Sequence, residues 1–154
     1  MRKRSRYKPR PTLPDPLGWV LGGFRPMRGE AQATTLRIKN HDALLAVTKG
    51  KGNRQVIDLL IAAMNMAEAL YRTNEALGAE YASDIRQAQD AIVAMSRRGL
   101  ERGSFVFTGP ELQAMNQGMD IHDAQLDACT IGDLDKALVL VTQEIAGKRA
   151  RAIA

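Results

Sequence analysis

From Asn53 onward, apolar residues recur every three or four positions, which is the spacing of one face of an α-helix. Four stretches show the pattern. The first contains Val56, Leu59, Leu60, Met64, Ala67, Leu70 and Tyr71. The second contains Tyr81, Ile85, Ala88, Ile92 and Met95, and the third contains Leu112, Met115, Met119, His122, Leu126 and Cys129. The fourth contains Leu134, Leu138, Val141 and Ile145. Each stretch predicts an amphipathic helix.

Side chains that cap helices stand at the expected starts. Asn53 precedes the first stretch, and Thr108 with Glu111 forms a capping-box pattern before the third. Thr130 with Asp133 repeats that signal before the fourth stretch. Asn40 predicts a further short helix through Val47. The sequence therefore predicts an all-α bundle of four to five helices.

Two short segments have a β-like pattern instead. TTLRIK at 34–39 alternates and is rich in β-branched residues, and FVFT at 105–108 is its one plausible partner. Because two strands alone are only marginally stable, we expect them, if paired, to form a minor clasp lying on the helices.

The first thirty residues differ in composition from the rest of the chain. They hold five of the six prolines and four glycines, which favours extended backbone over helix. We therefore divide the chain into a basic, Pro/Gly-rich arm at 1–30 and a helical bundle at 31–154. Residues 13–27 include many apolar side chains, and we expect Trp19 and Phe24 to dock on the body or on another copy, which favours a homo-oligomer.

Charge is distributed unevenly along the 154 residues, whose formal net charge is +5. Residues 1–30 carry eight cations and two anions, whereas residues 55–147 carry six cations and fourteen anions. Basic ends thus flank an acidic middle, and the ends are predicted either to bind a polyanion or to pack on the acidic middle of a neighbouring copy.

The basic termini are candidate contacts to the phosphates of DNA or RNA, as in the N-terminal arms of some DNA-binding proteins. The candidate residues are Arg2, Lys3, Arg4, Arg6, Tyr7, Lys8, Arg10, Lys148, Arg149 and Arg151. A solubilising tail or an assembly tether is the alternative interpretation. The sequence shows no helix-turn-helix, so backbone contact is favoured over base recognition.

The acidic middle supports a different interpretation, in which the protein binds a basic surface of another protein. The candidate contacts are Glu68, Glu75, Glu80 and Asp84. We carry this protein-binding regulator or inhibitor as the second function.

Catalytic and metal-binding signals are weak. DIHDAQLDAC at 120–129 places His122 and Cys129 on one helical face, with Asp120, Asp123 and Asp127 elsewhere. No ExxH, HxxxH or CxxC pattern completes a ligand set, so we expect a seam histidine, a small core cysteine and a solvated acidic face. His41 is likewise expected to be structural. We expect no enzyme activity and no cofactor, because nucleophile, P-loop and dinucleotide motifs are missing.

The lone cysteine leaves no disulfide framework, which favours a reducing compartment. The basic start lacks a continuous apolar segment and contains prolines, unlike a signal peptide. No stretch has the length and apolarity of a membrane span. We therefore expect a cytoplasmic protein with no membrane contact.

Five segments spread along nearly the whole chain carry a resemblance to a known family: RKRSRYKPRP at 2–11, LRIKNHDAL at 36–44, LIAAMNMAEAL at 60–70, QAMNQGMDIHDAQLDA at 113–128 and DLDKALVLV at 133–141. Together they resemble small helical proteins encoded by bacteriophages and prophages of proteobacteria. The resemblance implies a phage accessory protein in the host cytoplasm; the partner of the second function is then a host protein, and a virion or assembly role is the third alternative. The resemblance supplies no catalytic residues.

Overall fold

The computed structural model describes residues 29–147, and in that range every regular element is helical. The α-helices are α1 (Gly29–Thr48), α2 (Arg54–Thr73), α3 (Ala82–Arg102), α4 (Gly109–Ala128) and α5 (Ile131–Ala146). Two short 3₁₀ helices, Glu75–Leu77 and Ala79–Tyr81, connect α2 to α3. The prediction of an all-α bundle is confirmed, and none of the described helices is long and apolar enough to cross a membrane.

Helix α2 lies at the centre and packs against all four of the other α-helices. Its Leu60 and Met64 side chains are fully buried in the main core, together with Val47, Ile92, Met95 and Met115 from the surrounding helices. A second cluster joins Leu70 of α2 to Ala137 of α5. Since α5 packs mainly on α2, it forms the periphery of the bundle.

The predicted helix starts are confirmed at three positions. The Asn53 side chain accepts a hydrogen bond from the Val56 N–H at 3.0 Å. Thr108 with Glu111 and Thr130 with Asp133 both form complete capping boxes. These side chains satisfy backbone N–H groups that the first helical turn leaves without a partner.

The predicted two-stranded clasp is wrong. Residues 34–39 lie inside α1, and residues 105–107 are irregular chain whose Phe105 and Phe107 side chains pack on the core. The β-branched residues of 34–39 are helical because Asn40, Ala43 and Val47, spaced as on one helical face, are buried. Burial of that face outweighs the small intrinsic preference of β-branched residues for strands.

The predicted helix start at Asn40 is also wrong. Asn40 does not start a helix, because α1 runs continuously from Gly29 to Thr48. The chain leaves the helix at Gly50, which has a φ of 73°, and the Lys51 N–H donates a hydrogen bond to Ala46 O. Helix α2 stops at Thr73, before Gly78, because the Asn74 side chain accepts from the Ala76 N–H and begins the 3₁₀ linker. The predicted arm at 1–30 lies almost wholly outside the described residues.

Three helices meet at Gly118 of α4. A methyl group there would lie 2.6 Å from Ala88 Cβ on α3 and 2.9 Å from Met64 Sδ on α2. Both distances are shorter than van der Waals contact, so the missing side chain is what lets α4 approach its two neighbours. This junction sets how closely the central helices pack.

Substitution of Gly118 tests the junction. We expect Gly118→Ala to lower the free energy of unfolding by about 1–3 kcal/mol, because an added methyl in a packed core forces neighbours apart. Urea denaturation followed by circular dichroism measures the change. Gly109→Ala is the matched control in the same helix, since nothing lies within 4 Å of a methyl there. Equal stability of the two variants would contradict the close contact.

Candidate functional site

Two loops that are distant in sequence meet at one end of the bundle. Phe105 of the α3–α4 loop lies against Gly52 of the α1–α2 loop, where an added Cβ would be 3.1 Å from Phe105 Cβ. The Phe105 ring also covers Gly99 of α3, where a methyl would fall 2.0 Å from the ring. Phe105 therefore holds the two loops together.

Apart from Arg98, five cations lie within three residues of Gly52, Gly99 or Phe105 along the chain, and we call them the basic end: Lys49, Lys51, Arg54, Arg97 and Arg102. All five are exposed. Within residues 29–147, no carboxylate lies within ion-pair distance of any of them. The contact between the two loops thus brings cations of the α1–α2 loop and the start of α2 toward those at the end of α3, and leaves them accessible to an external anion.

Arg98 stands beside this group but has a structural role. Its guanidinium donates to both carboxylate oxygens of Glu111 and, at 3.1 Å, to Val106 O. The Arg98 guanidinium and the Thr108 N–H hold the pKa of Glu111 below its usual value. Arg98 therefore fixes the α3–α4 loop on the start of α4, and its charge is already neutralised.

The opposite end of the bundle is built from the α2–α3 linker and the second half of α4. Gln125 of α4 donates from Nε2 to Leu77 O at 2.8 Å and to Ala67 O at 3.0 Å. Gln125 is buried, so these bonds join linker, α2 and α4 in the interior. Near the same linker, Asn74 lies 3.5 Å from Asp133 at the start of α5.

An open groove of about 400 Å³ lies between the linker and α4, and we call it the acidic groove. Its lining residues are Ala76, Leu77, Gly78, Glu80, Tyr81, Gln117, Asp120, Ile121, Ala124, Gln125 and Ala128. The sequence pattern predicts Tyr81 on the core face of α3, but 45% of this residue is exposed. It precedes α3 in the 3₁₀ linker, which turns it toward the groove.

The acidic residues predicted to contact a partner separate into two kinds. Glu68 is engaged inside the bundle, where it accepts a hydrogen bond from Gln89 at 2.7 Å and pairs with Arg72 at 3.9 Å. Glu75, Glu80 and Asp84 form no ion pair within the described part of the chain. Glu80 lines the groove, whereas Glu75 and Asp84 are not among its lining residues.

The three aspartates of α4 do not form one solvated face. Asp123 lies 2.7 Å from His41 Nε2 and 3.4 Å from Arg37 Nε, and Asp127 pairs with Arg37. These contacts join α1 to α4, which supports the structural role predicted for His41. Asp120 alone of the three lines the groove. The prediction of a common solvated face is therefore wrong for Asp123.

His122 is the buried seam histidine that the sequence predicts, with 2% of its surface exposed. Its Nδ1 lies 3.3 Å from Gln125 Oε1. Because Gln125 Nε2 donates to two carbonyls, Oε1 is the acceptor and the His122 Nδ1 carries the proton. Burial lowers the pKa of His122 to about 4, so the ring is neutral near pH 7. Cys129 is half-buried beside the α2–α5 cluster.

Among the described residues, no group of three histidine, cysteine or acidic side chains is arranged to hold a metal ion. Many predicted contacts fall outside residues 29–147, and the structure describes none of them. They are Arg2, Lys3, Arg4, Arg6, Tyr7, Lys8, Arg10, Trp19, Phe24, Lys148, Arg149 and Arg151.

Sequence reasoning missed the basic end and the groove as surfaces. Lys49, Lys51 and Arg54 are visible as a positive stretch, but nothing local connects them to Arg102. The connection runs through Phe105, which the sequence pattern assigns to a strand. Consecutive antiparallel helices place the α1–α2 loop and the α3–α4 loop at the same end of a bundle. That expectation would have brought the cations of the basic end together.

The chain matches no protein family, and no curated protein or solved structure matches it. The site is therefore interpreted from its own geometry.

The buried histidine predicts a pH dependence of stability. Unfolded His122 binds a proton near the ordinary histidine pKa of 6.5, whereas the folded side chain resists protonation until about pH 4. The free energy of unfolding therefore falls as pH decreases from 6.5 to 4, by about 3 kcal/mol from this group. Urea denaturation across that range should show the slope in wild type and in His41→Gln, and a reduced slope in His122→Gln. An unchanged slope in His122→Gln would contradict the assignment.

Proposed function

We propose that this protein is a non-enzymatic accessory protein that contacts the phosphate backbone of DNA or RNA. The observation that carries the proposal is the basic end, where five exposed cations from the α1–α2 loop, the start of α2 and the end of α3 have no ion-pair partner within residues 29–147. Cations left unpaired on a surface attract polyanions and release condensed counterions when they bind them.

The charge of the remaining body limits where such contact occurs. Residues 29–147 contain eleven cations and sixteen anions, which gives a net charge of −5. The segments on either side contain eleven cations and a single anion, Asp15. Most of the body therefore repels a polyanion, and contact is confined to the basic end and the basic termini, residues 2–10 and 148–151.

The expected binding is insensitive to base sequence. Contacts from lysine and arginine to phosphate position a protein on nucleic acid but carry no sequence information directly. The resemblance to small phage and prophage proteins favours a phage accessory protein acting in the host cytoplasm. A homo-oligomer formed through Trp19 and Phe24 would bring several basic ends to one nucleic acid.

The acidic groove supports a second function, binding to a basic surface of a host protein. Its apolar floor and its unpaired Glu80 and Asp120 side chains favour a partner that offers both cations and apolar contact. A host transcription, replication or defence protein would be regulated by such contact. The virion or assembly role stays a prediction from the resemblance alone.

Salt dependence of binding to a short duplex tests the nucleic-acid proposal. Fluorescence anisotropy at several salt concentrations gives the slope of log K against log salt, which changes by about 0.9 for each phosphate contact. We expect Lys49→Gln/Lys51→Gln/Arg102→Gln to reduce the slope by about 2–3 in magnitude. Deletion of residues 2–10 should reduce it further, with an unchanged helical circular dichroism spectrum.

Arg86→Gln/Lys136→Gln is the control, because these exposed cations lie outside the basic end. It should leave the slope nearly unchanged. A full-length protein that does not bind the duplex at low salt would refute the proposal. If the triple variant and the control have equal slopes, the basic end does not contact the phosphates.

A further inference from the structure

We infer that the acidic groove binds residues 2–10 of the same chain. The groove would hold a basic, proline-containing segment in an extended form, with side chains on its floor and cations on its rim. This inference does not rest on the nucleic-acid proposal, because it concerns a contact within one molecule.

The floor and rim of the groove differ in chemistry. Leu77, Ile121, Ala124 and Ala128 give an apolar floor, and the half-exposed Tyr81 ring stands at its side. Glu80 and Asp120 lie in the lining and form no ion pair within the described chain. Such a surface favours a ligand that buries apolar groups while it neutralises carboxylates.

Residues 2–10 match that chemistry. RKRSRYKPR contains six cations and no acidic residue, so its charge is complementary to the groove. Tyr7 and Pro9 supply apolar surface for the floor, and arginine and lysine stems are themselves apolar below their charged groups. Arginine also stacks favourably on aromatic rings such as Tyr81.

The position of α1 brings the segment within reach. Arg37 pairs with Asp127 of α4, beside the groove residues Ala124 and Ala128. Gly29 lies about two helical turns before Arg37, which is about 12 Å. The intervening residues 11–28 span up to about 60 Å when extended, so the tether is long enough.

The tether also favours the segment of the same chain over that of a second copy. A linked segment has an effective concentration of about 1 mM for a tether of modest length, well above a micromolar protein concentration.

Paramagnetic broadening in nuclear magnetic resonance spectra tests the contact in the full chain. A nitroxide is attached to Ser5→Cys in a Cys129→Ala background, and amide intensities are compared with those of the reduced label. We expect the amides of Gly78, Ile121 and Ala124 to lose most of their intensity. The amides of Gly52 and Gly103, at the other end of the bundle, should keep theirs.

Neutralising the rim should restore the lost intensities. Glu80→Gln/Asp120→Asn removes two charges from the groove, whereas Asp58→Asn/Glu101→Gln removes two exposed, unpaired charges near the basic end. Only the first pair should abolish the broadening, and both variants should keep the helical circular dichroism spectrum. The screening length is about 10 Å at 0.1 M salt and shorter above it. Raising the salt well above 0.1 M should therefore also weaken the broadening of the groove amides.

Mixing identifies the chain that provides the segment. Isotope-labelled, nitroxide-bearing protein is diluted with an excess of protein that carries neither label. Broadening that persists supports binding within one chain, and broadening that disappears overturns the inference in favour of a second copy. No broadening of the groove amides in the undiluted sample also overturns it. None of these samples contains nucleic acid, so this result is independent of the duplex-binding test.

Discussion

The close approach of α4 to α2 and α3 is the contact on which the arrangement of the bundle depends. At Gly118 the absence of a side chain lets Ala88 and Met64 come within distances that a methyl group would not allow. This spacing lets Met64 fill the centre of the main core and keeps the α3–α4 hairpin in register with α2. This register determines at which end of the bundle each loop lies.

Pairing of the loops brings together cations that lie far apart in the sequence. The α1–α2 loop and the α3–α4 loop meet through Phe105, and the cations beside this contact come from the α1–α2 loop, the start of α2 and the end of α3. The α2–α3 linker and the end of α4 meet through Gln125, where the unpaired carboxylates Glu80 and Asp120 lie. The fold therefore presents two surfaces of opposite sign, each suited to a different partner.

Sequence reasoning succeeded where the determining interactions are local. The caps at Asn53, Thr108 and Thr130 need only a side chain and a backbone N–H a few residues away, so they were predictable. Residues 34–39 were misassigned because their short alternating pattern is outweighed by burial against distant helices. The exposure of Tyr81 depends on the 3₁₀ linker and on its packing against α4, and the basic end depends on a contact between distant loops. Neither surface has a signature within one segment of the chain.

The opposed ends also affect how the molecule moves toward a charged target. Within residues 29–147, the five accessible cations of the basic end lie far from the unpaired carboxylates Glu80 and Asp120 of the acidic groove, so charge is distributed asymmetrically over the surface. In the field of a polyanion, such a body experiences a torque that turns its positive pole forward before contact is made. If the protein binds a polyanion as proposed, productive orientations would be enriched during diffusion itself, which accelerates association at low ionic strength.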